Sequence, residues 1–402
     1  MLLLKILIIL LLIFFPFAEI LRFNLGNNIF LKPLDAISVI IFLWTFFLYV
    51  KNKKFRTKLQ WYYFIFPVTG FISLLINLSW LTPHDFLTSF LYGLRWISYV
   101  GLFFAILQID ESFRKKIITF LTIDGIVILL IGYIQFFMYP SLRNLYYLGW
   151  DEHLYRMFSS FLDPNFAGAF FVLYLFFIAG LLFAGFKTYS KKRIVFTILL
   201  LIATLGAVLL TYSRSALLML IVSGIVFFIL IQKRKFILYL LGLILVFIII
   251  LSPYFYIENL NLFRMASTIA RFQTTEHVLQ IIQANPILGV GFDSYRYAQL
   301  KYHFISPNPQ IQAHSASGDD TSLLFVLATT GIIGLVSYCY LWFRLFKDAA
   351  NIYKKNTFAL IFIASAAGLF INAIFNNTLF YSEIMFWMWV ITGLMYKNSK
   401  NH

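Results

Sequence analysis

Twelve apolar stretches, each about long enough to cross a bilayer, occur along this chain. Their limits are 4–21, 36–50, 60–79, 88–108, 117–138, 165–186, 194–211, 214–231, 236–252, 320–343, 357–374 and 379–396. A transmembrane helix needs about 20 mostly apolar residues. The composition agrees, with 61% apolar and 12% charged residues. A soluble domain usually carries about 25% charge, so that class is excluded. Disorder is excluded by the apolar content. The single cysteine, Cys339, excludes a disulfide scaffold and any multi-cysteine metal site. The expected fold is all-α and polytopic, one membrane unit over residues 1–402 with about twelve helices.

The net charge of +16 resembles that of a nucleic-acid binder, but its placement argues otherwise. The connections alternate in charge. One set, from Lys5 through Lys51–Lys58, Arg114–Lys116, Lys187–Arg193, Lys233–Lys235, Arg344–Lys355 and Lys397–Lys400, holds 22 of the 32 basic residues. The other holds 8: Arg22, Lys32, Arg143, Arg156, Arg264, Arg271, Arg296 and Lys301. Arg95 and Arg214 fall within spans. The positive-inside rule makes the rich set cytoplasmic, and an even number of spans then puts both termini inside. Residues 1–21 are read as a retained first helix rather than a cleaved signal peptide.

Polar residues gather in two outward connections, 139–164 and the much longer 253–319. Long ordered connections tend to carry function. Within the second, residues 264–282 read as an amphipathic helix. Met265, Ile269, Phe272 and Leu279 share one face; Arg264, Thr268, Arg271 and Thr275 share another. That stripe suits an anion, or is the wet side of an interfacial helix. Next comes Pro286-Ile-Leu-Gly289-Val-Gly291-Phe-Asp-Ser-Tyr295, read as a plain turn with glycines allowing close backbone approach. Then Ala313-His314-Ser315-Ala-Ser317-Gly318-Asp319-Asp320-Thr321 leads into the tenth span. Ser317 or Asp319 is placed to cap that helix, and capping explains the Asp319–Asp320 pair better than a metal site. His314 is a general-base candidate near neutral pH.

Arg95 lies about 10 Å below the outer end of the fourth span, at about 1.5 Å per residue. A charge in the bilayer costs at least ~2.5 kcal/mol on insertion scales, so Arg95 needs a partner, with Glu383 and Asp124 as candidates, or a substrate. Arg214 stands at the turn before the eighth span. Guanidinium groups suit phosphate through bidentate bonds. Asp163-Pro164-Asn165 opens the sixth span as a capping signature, with a second use in binding sugar hydroxyls.

In their order these motifs resemble the bacterial O-antigen ligase/polymerase superfamily, with its WaaL-type ligases and Wzy-type polymerases. The matching pieces are Phe161-Leu-Asp-Pro-Asn-Phe-Ala-Gly168, Thr211-Tyr-Ser-Arg-Ser-Ala216 and Arg271-Phe-Gln-Thr-Thr-Glu-His277. Asn285-Pro-Ile-Leu-Gly-Val-Gly-Phe292 and His314…Asp320-Thr-Ser-Leu-Leu…Thr330-Gly-Ile-Ile-Gly334 complete the set. Glu276, in the third piece, and Ser315, directly after His314, depart from the family pattern of an aromatic and an asparagine.

The resemblance implies a multi-pass bacterial inner-membrane glycosyltransferase of the GT-C kind. It would use a glycan carried on undecaprenyl diphosphate, with no metal, cofactor or nucleotide sugar. It implies His314 as base and Arg214 and Arg271 as diphosphate ligands, with Arg95 and Arg264 as weaker candidates. Asp163, Asn165, Asp319, Asp320 and Tyr295 are glycan-binding or structural. A chain-length regulator is a possible partner; nucleic acid is not. The stretch Asp320–Gly331 looks slightly more like the polymerases than the ligases. A transporter or flippase would instead place its charges near the midplane, and a scaffold would leave the buried arginines unexplained.

Overall fold

A computed structural model describes residues 1–17, 19–24, 30–51, 61–254, 261–262, 266–305 and 321–399. Helices coincide with all twelve apolar stretches. They are α1 (Leu2–Phe14), α2 (Pro33–Lys51), α3 (Tyr62–Ile76), α4 (Pro83–Gln108), α5 (Glu111–Met138) and α6 (Pro164–Gly185). α7 (Lys191–Leu210), α8 (Arg214–Leu230) and α9 (Lys235–Leu251) follow. After α10 (Ala266–Ala284) and α11 (Tyr295–Lys301), both inside the long connection, come α12 (Ser322–Ile352), α13 (Thr357–Asn372) and α14 (Ser382–Ser399). Seven of these helices are long and apolar enough to cross a membrane: α2, α3 with its following turn, α4, α5, α6, α7 and α12. α1, α8, α9 and α13 are shorter apolar helices. The chain is an all-α polytopic membrane protein. Among the described residues one small sheet pairs Phe23–Asn24 with Phe30–Leu31.

Polar caps at the ends of apolar runs set the helix starts. Thr82, Asp110, Asp163, Ser190, Ser213 and Asn356 each accept a backbone N–H in the first turn of α4, α5, α6, α7, α8 and α13. Such caps are worth about 0.5–2 kcal/mol each. α12 differs from expectation. The residue before it is Thr321, not Ser317 or Asp319, and the Thr321 hydroxyl donates to the Ile374 carbonyl (3.1 Å) instead of capping. Ser317 and Asp319 lie outside the described residues.

α6 is buried along most of its length against α7, α8 and α13. α8 packs along α13, α4 between α2 and α14, and α3 along α12. α9 is the opposite case: Leu238, Leu245, Ile249 and Ile250 are exposed, as a lipid-facing helix requires.

The Pro286–Gly291 segment is more than a plain turn. It docks into a break in α12 at Gly331, whose φ is 64°. The amides of Val290 and Gly291 donate to the carbonyls of Ala328 and Thr329 (both 3.0 Å), and the Ile332 amide donates to the Pro286 carbonyl (3.0 Å). The Ala328 and Thr329 carbonyls and the Ile332 amide, freed by the break, are thereby satisfied, as a buried helix interruption requires. A side chain at Gly289 would collide with the Thr329 backbone, and one at Gly331 with the Ile287 carbonyl. Ser73 of α3 donates to the Thr329 carbonyl (2.8 Å) and Asn77, just after α3, to the Gly289 carbonyl (3.1 Å), so both sides of the joint are held. Two sequence motifs far apart in the chain are thus one backbone-to-backbone joint, which ties the long connection to the bundle.

Candidate functional site

The starts of α6, α8 and α12 meet at one end of the bundle, beside the turn between α13 and α14. Asp163 fixes the first of these. Its Oδ1 accepts from the amides of Asn165 (2.6 Å) and Phe166 (3.4 Å). Its Oδ2 faces His153 Nε2 at 3.8 Å, an ion pair when the ring is protonated. The Asn165 side chain then projects into a chain of polar contacts. Its Oδ1 accepts from the Ser213 hydroxyl (2.9 Å) and from Arg156 Nη2 (3.4 Å), while Arg156 Nε donates to the Thr211 carbonyl (2.9 Å). Ser213 and Ser215 hydroxyls share a bond (3.0 Å). Asn376 Nδ2 donates to Ser215 (2.7 Å), and Asn376 Oδ1 accepts from Arg271 Nη2 (3.3 Å). The Ser322 hydroxyl, at the start of α12, donates to the Asn376 carbonyl (3.2 Å).

Glycine permits the close approach on which this depends. A Cβ at Gly168 would lie 2.7 Å from that of Ala216, so the Phe161–Gly168 and Thr211–Ala216 motifs pack against each other. Arg271, from α10, sits near enough to Arg214 for the two guanidinium charges to repel. Two cations and three helix N-termini therefore concentrate positive potential in one place. That combination favours anions.

α10 is turned opposite to a surface helix with a wet polar stripe. Ile269, Phe272 and Leu279 are 53%, 72% and 44% exposed, while Val278 and Ile281 are buried against α12 and Arg271 and Thr275 are only partly exposed. The arginine is directed by the helix toward the bundle rather than toward solvent. Arg264, His314, Asp319 and Asp320 lie outside the described residues. Tyr295 is fully buried in a cluster with Val278, Ile281, Val290 and Phe325, a packing position.

Arg95 belongs to a second polar group. Its Nε lies 3.1 Å from Asp35, and its Nη2 donates to Ser382. Tyr99 donates to the same Asp35 oxygen (2.6 Å). Lys32 pairs with Glu19 and lies 3.4 Å from Glu383. The direct carboxylate of Arg95 is therefore Asp35. Glu383 acts on it at longer range, and Asp124 lies by Tyr174 instead. Arg95 sits in a position where three acids can balance its charge, because α4 packs between α2 and α14, whose first turns carry Asp35 and Glu383, and Lys32, just before α2, brings in Glu19. Burial alone would lower the Lys32 ammonium's pKa; Glu19 and Glu383 outweigh it and hold the pKa above its ordinary value.

Arg156, Asn376, Ser213 and Ser215 were not singled out by sequence reasoning. Arg156 did carry a signal: it is one of few basic residues on its side, seven positions before Asp163. Asn376-Asn377 likewise breaks the polarity pattern between the last two spans.

No curated protein matches this chain. Residues 198–339 match the family described as O-antigen ligase. The matched stretch runs from α7 into α12 and contains Arg214, Arg271 and the Gly289–Gly331 joint. With the motif order read from the sequence, this match over residues 198–339 supports the chain's resemblance to the O-antigen ligase/polymerase superfamily.

Proposed function

We propose that the protein is a glycosyltransferase that moves a glycan from undecaprenyl diphosphate onto a sugar hydroxyl at the extracytoplasmic face of the bacterial inner membrane. The acceptor is another lipid-linked repeat unit, which makes the enzyme a surface-polysaccharide polymerase. Transfer to lipid A-core, the ligase reaction, is the second reading. In this reading the chain makes twelve spans with both termini inside, a GT-C-like arrangement, and the site end of the bundle faces outside.

The observation that carries this reading is the convergence of the α6, α8 and α12 starts around Arg214 and Arg271. Charge builds on the diphosphate as the glycosidic bond breaks, and oriented donors lower that barrier most when they need not rearrange. Arg214 and Arg271 are assigned to the diphosphate, with Arg264 a weaker candidate. Arg95 is weaker still, since Asp35 and Ser382 already engage it. His314 takes the proton from the acceptor hydroxyl. The oxygen attacks the anomeric carbon, the bond to the phosphate oxygen breaks, and its electron pair leaves with the diphosphate. A single displacement inverts the anomeric centre. Asp163 and Asn165 hold the first turn of α6 and line the site, and Asp319 and Asp320 are assigned to the glycan. The polyisoprenoid tail enters between helices from the bilayer.

Purified protein in lipid nanodiscs, given undecaprenyl-diphosphate oligosaccharide with or without lipid A-core, tests this. A product ladder without the core supports the polymerase. A single adduct formed only with the core means ligase, and no adduct in either case removes the transferase reading.

A further inference from the structure

Tyr381 stands between the two polar groups, in the residue just before α14. Its ring lies parallel to Phe166, 4.0 Å between centroids and 9° between planes. Its hydroxyl donates to the Phe161 carbonyl (3.1 Å). It thus grips both flanks of Asp163-Pro164-Asn165. On its other side Lys32 lies 5.3 Å from the ring centroid, and Ser382 and Glu383, the next two residues, bond or approach Lys32 and Arg95. The acid-balanced group is therefore the fixed base on which this ring stands.

The D-P-N turn needs such support. Leu162 has φ 55° and Ser159 has φ 50°, left-handed values that side chains other than glycine seldom adopt. Such strain persists only where the surroundings over-determine it. Asn165 in turn bridges Arg156 and Ser213 with a single carbonyl oxygen, so a small rotation of the turn would release both.

We infer that Tyr381 is a positioning residue of the site: stacked on Phe166 and bonded to Phe161, it sets Asn165 and hence the arrangement of Arg156 and Ser213 at the start of α8. The inference takes its functional readout from the proposed transfer reaction but is tested first by binding. The probe is undecaprenyl diphosphate itself, titrated against wild type, Tyr381→Leu, Tyr381→Phe, Asn165→Ala and the two double variants in nanodiscs. Tyr381→Leu should weaken binding about tenfold and Tyr381→Phe about threefold, and neither should add to Asn165→Ala, because residues acting through one another are non-additive. Transfer rates should follow the same pattern. Effects that multiply with Asn165→Ala, or a Tyr381→Leu protein that binds as wild type, overturn the inference. If Tyr381→Leu does not fold, the Tyr381→Phe cycle decides alone. Wild-type protein that fails to bind the probe would sink the transferase reading instead, so the two failures are distinct.

Discussion

Two polar groups share one end of the bundle, and the contacts described for their cations differ in kind. Around Lys32 and Arg95 each cation meets carboxylates: Glu19, Asp35 and Glu383. Around Arg156, Arg214 and Arg271 the structure supplies amide oxygens, a carbonyl, hydroxyls and helix starts. Two of those guanidiniums repel each other. Breaking a balanced group leaves a naked buried charge, so it serves to hold helices together. A group of cations set among dipoles concentrates positive potential, which suits an anion that arrives and leaves. The first is expected to govern stability and the second turnover.

The largest loss should follow His314→Ala, since general-base catalysis typically contributes about 10²–10⁴-fold. His153 is the described histidine beside the site, held against Asp163. His153→Gln should cost less than tenfold. A loss as deep as that of His314→Ala would move the base role to the His153–Asp163 pair. Both are read as initial transfer rates in nanodiscs.

Next come Arg214→Ala and Arg271→Ala. Removing one preorganised donor to a developing charge typically costs about 10²–10³ in rate. Thermal unfolding should stay within a few degrees of wild type. Arg variants that unfold while retaining transfer in the surviving fraction would put this group on the same footing as the other.

Lys32→Met should do the reverse. Glu19 and Glu383 would then face each other without their ammonium, and breaking a buried pair costs about 3–5 kcal/mol. The melting temperature should fall, with the folded fraction losing no more transfer than Tyr381→Leu does, since Lys32 reaches the site only through that ring. Lost transfer at an unchanged melting temperature would erase the distinction between the groups.

Much of the fold was legible because hydrophobic length is a local property: all twelve apolar stretches are helices. The cap Asp163 was equally local. What escaped were contacts between distant segments. Arg95 has its carboxylate 60 positions earlier, at Asp35, because the first turn of α2 packs against α4. The glycines at 289 and 331 each looked like ordinary punctuation; only together do they form a joint. The stripe on α10 was visible, but periodicity cannot say which face turns inward. Here Val278 and Ile281, not Ile269 and Phe272, meet α12.

Asp293 should show the smallest effect, and it tests where the balanced group ends. It lies in the Gly289–Tyr295 segment with φ 57°, a recessed but partly exposed carboxyl near Arg95. Burial pushes its pKa up to about 8, with Arg95 pulling weakly the other way. The folded protein then keeps a proton that the unfolded chain has released above about pH 4. Stability linked to that proton is complete below the unfolded value and declines as pH rises through about 8. Asp293→Asn keeps the left-handed backbone, which asparagine tolerates, and needs no proton. It should match wild type near pH 4 and melt a few degrees higher at pH 8, compared by thermal unfolding in one detergent. A variant less stable than wild type at pH 8 would mean that Asp293 is ionised and paired with Arg95. The balanced group would then extend from α2 across α4 into the long connection.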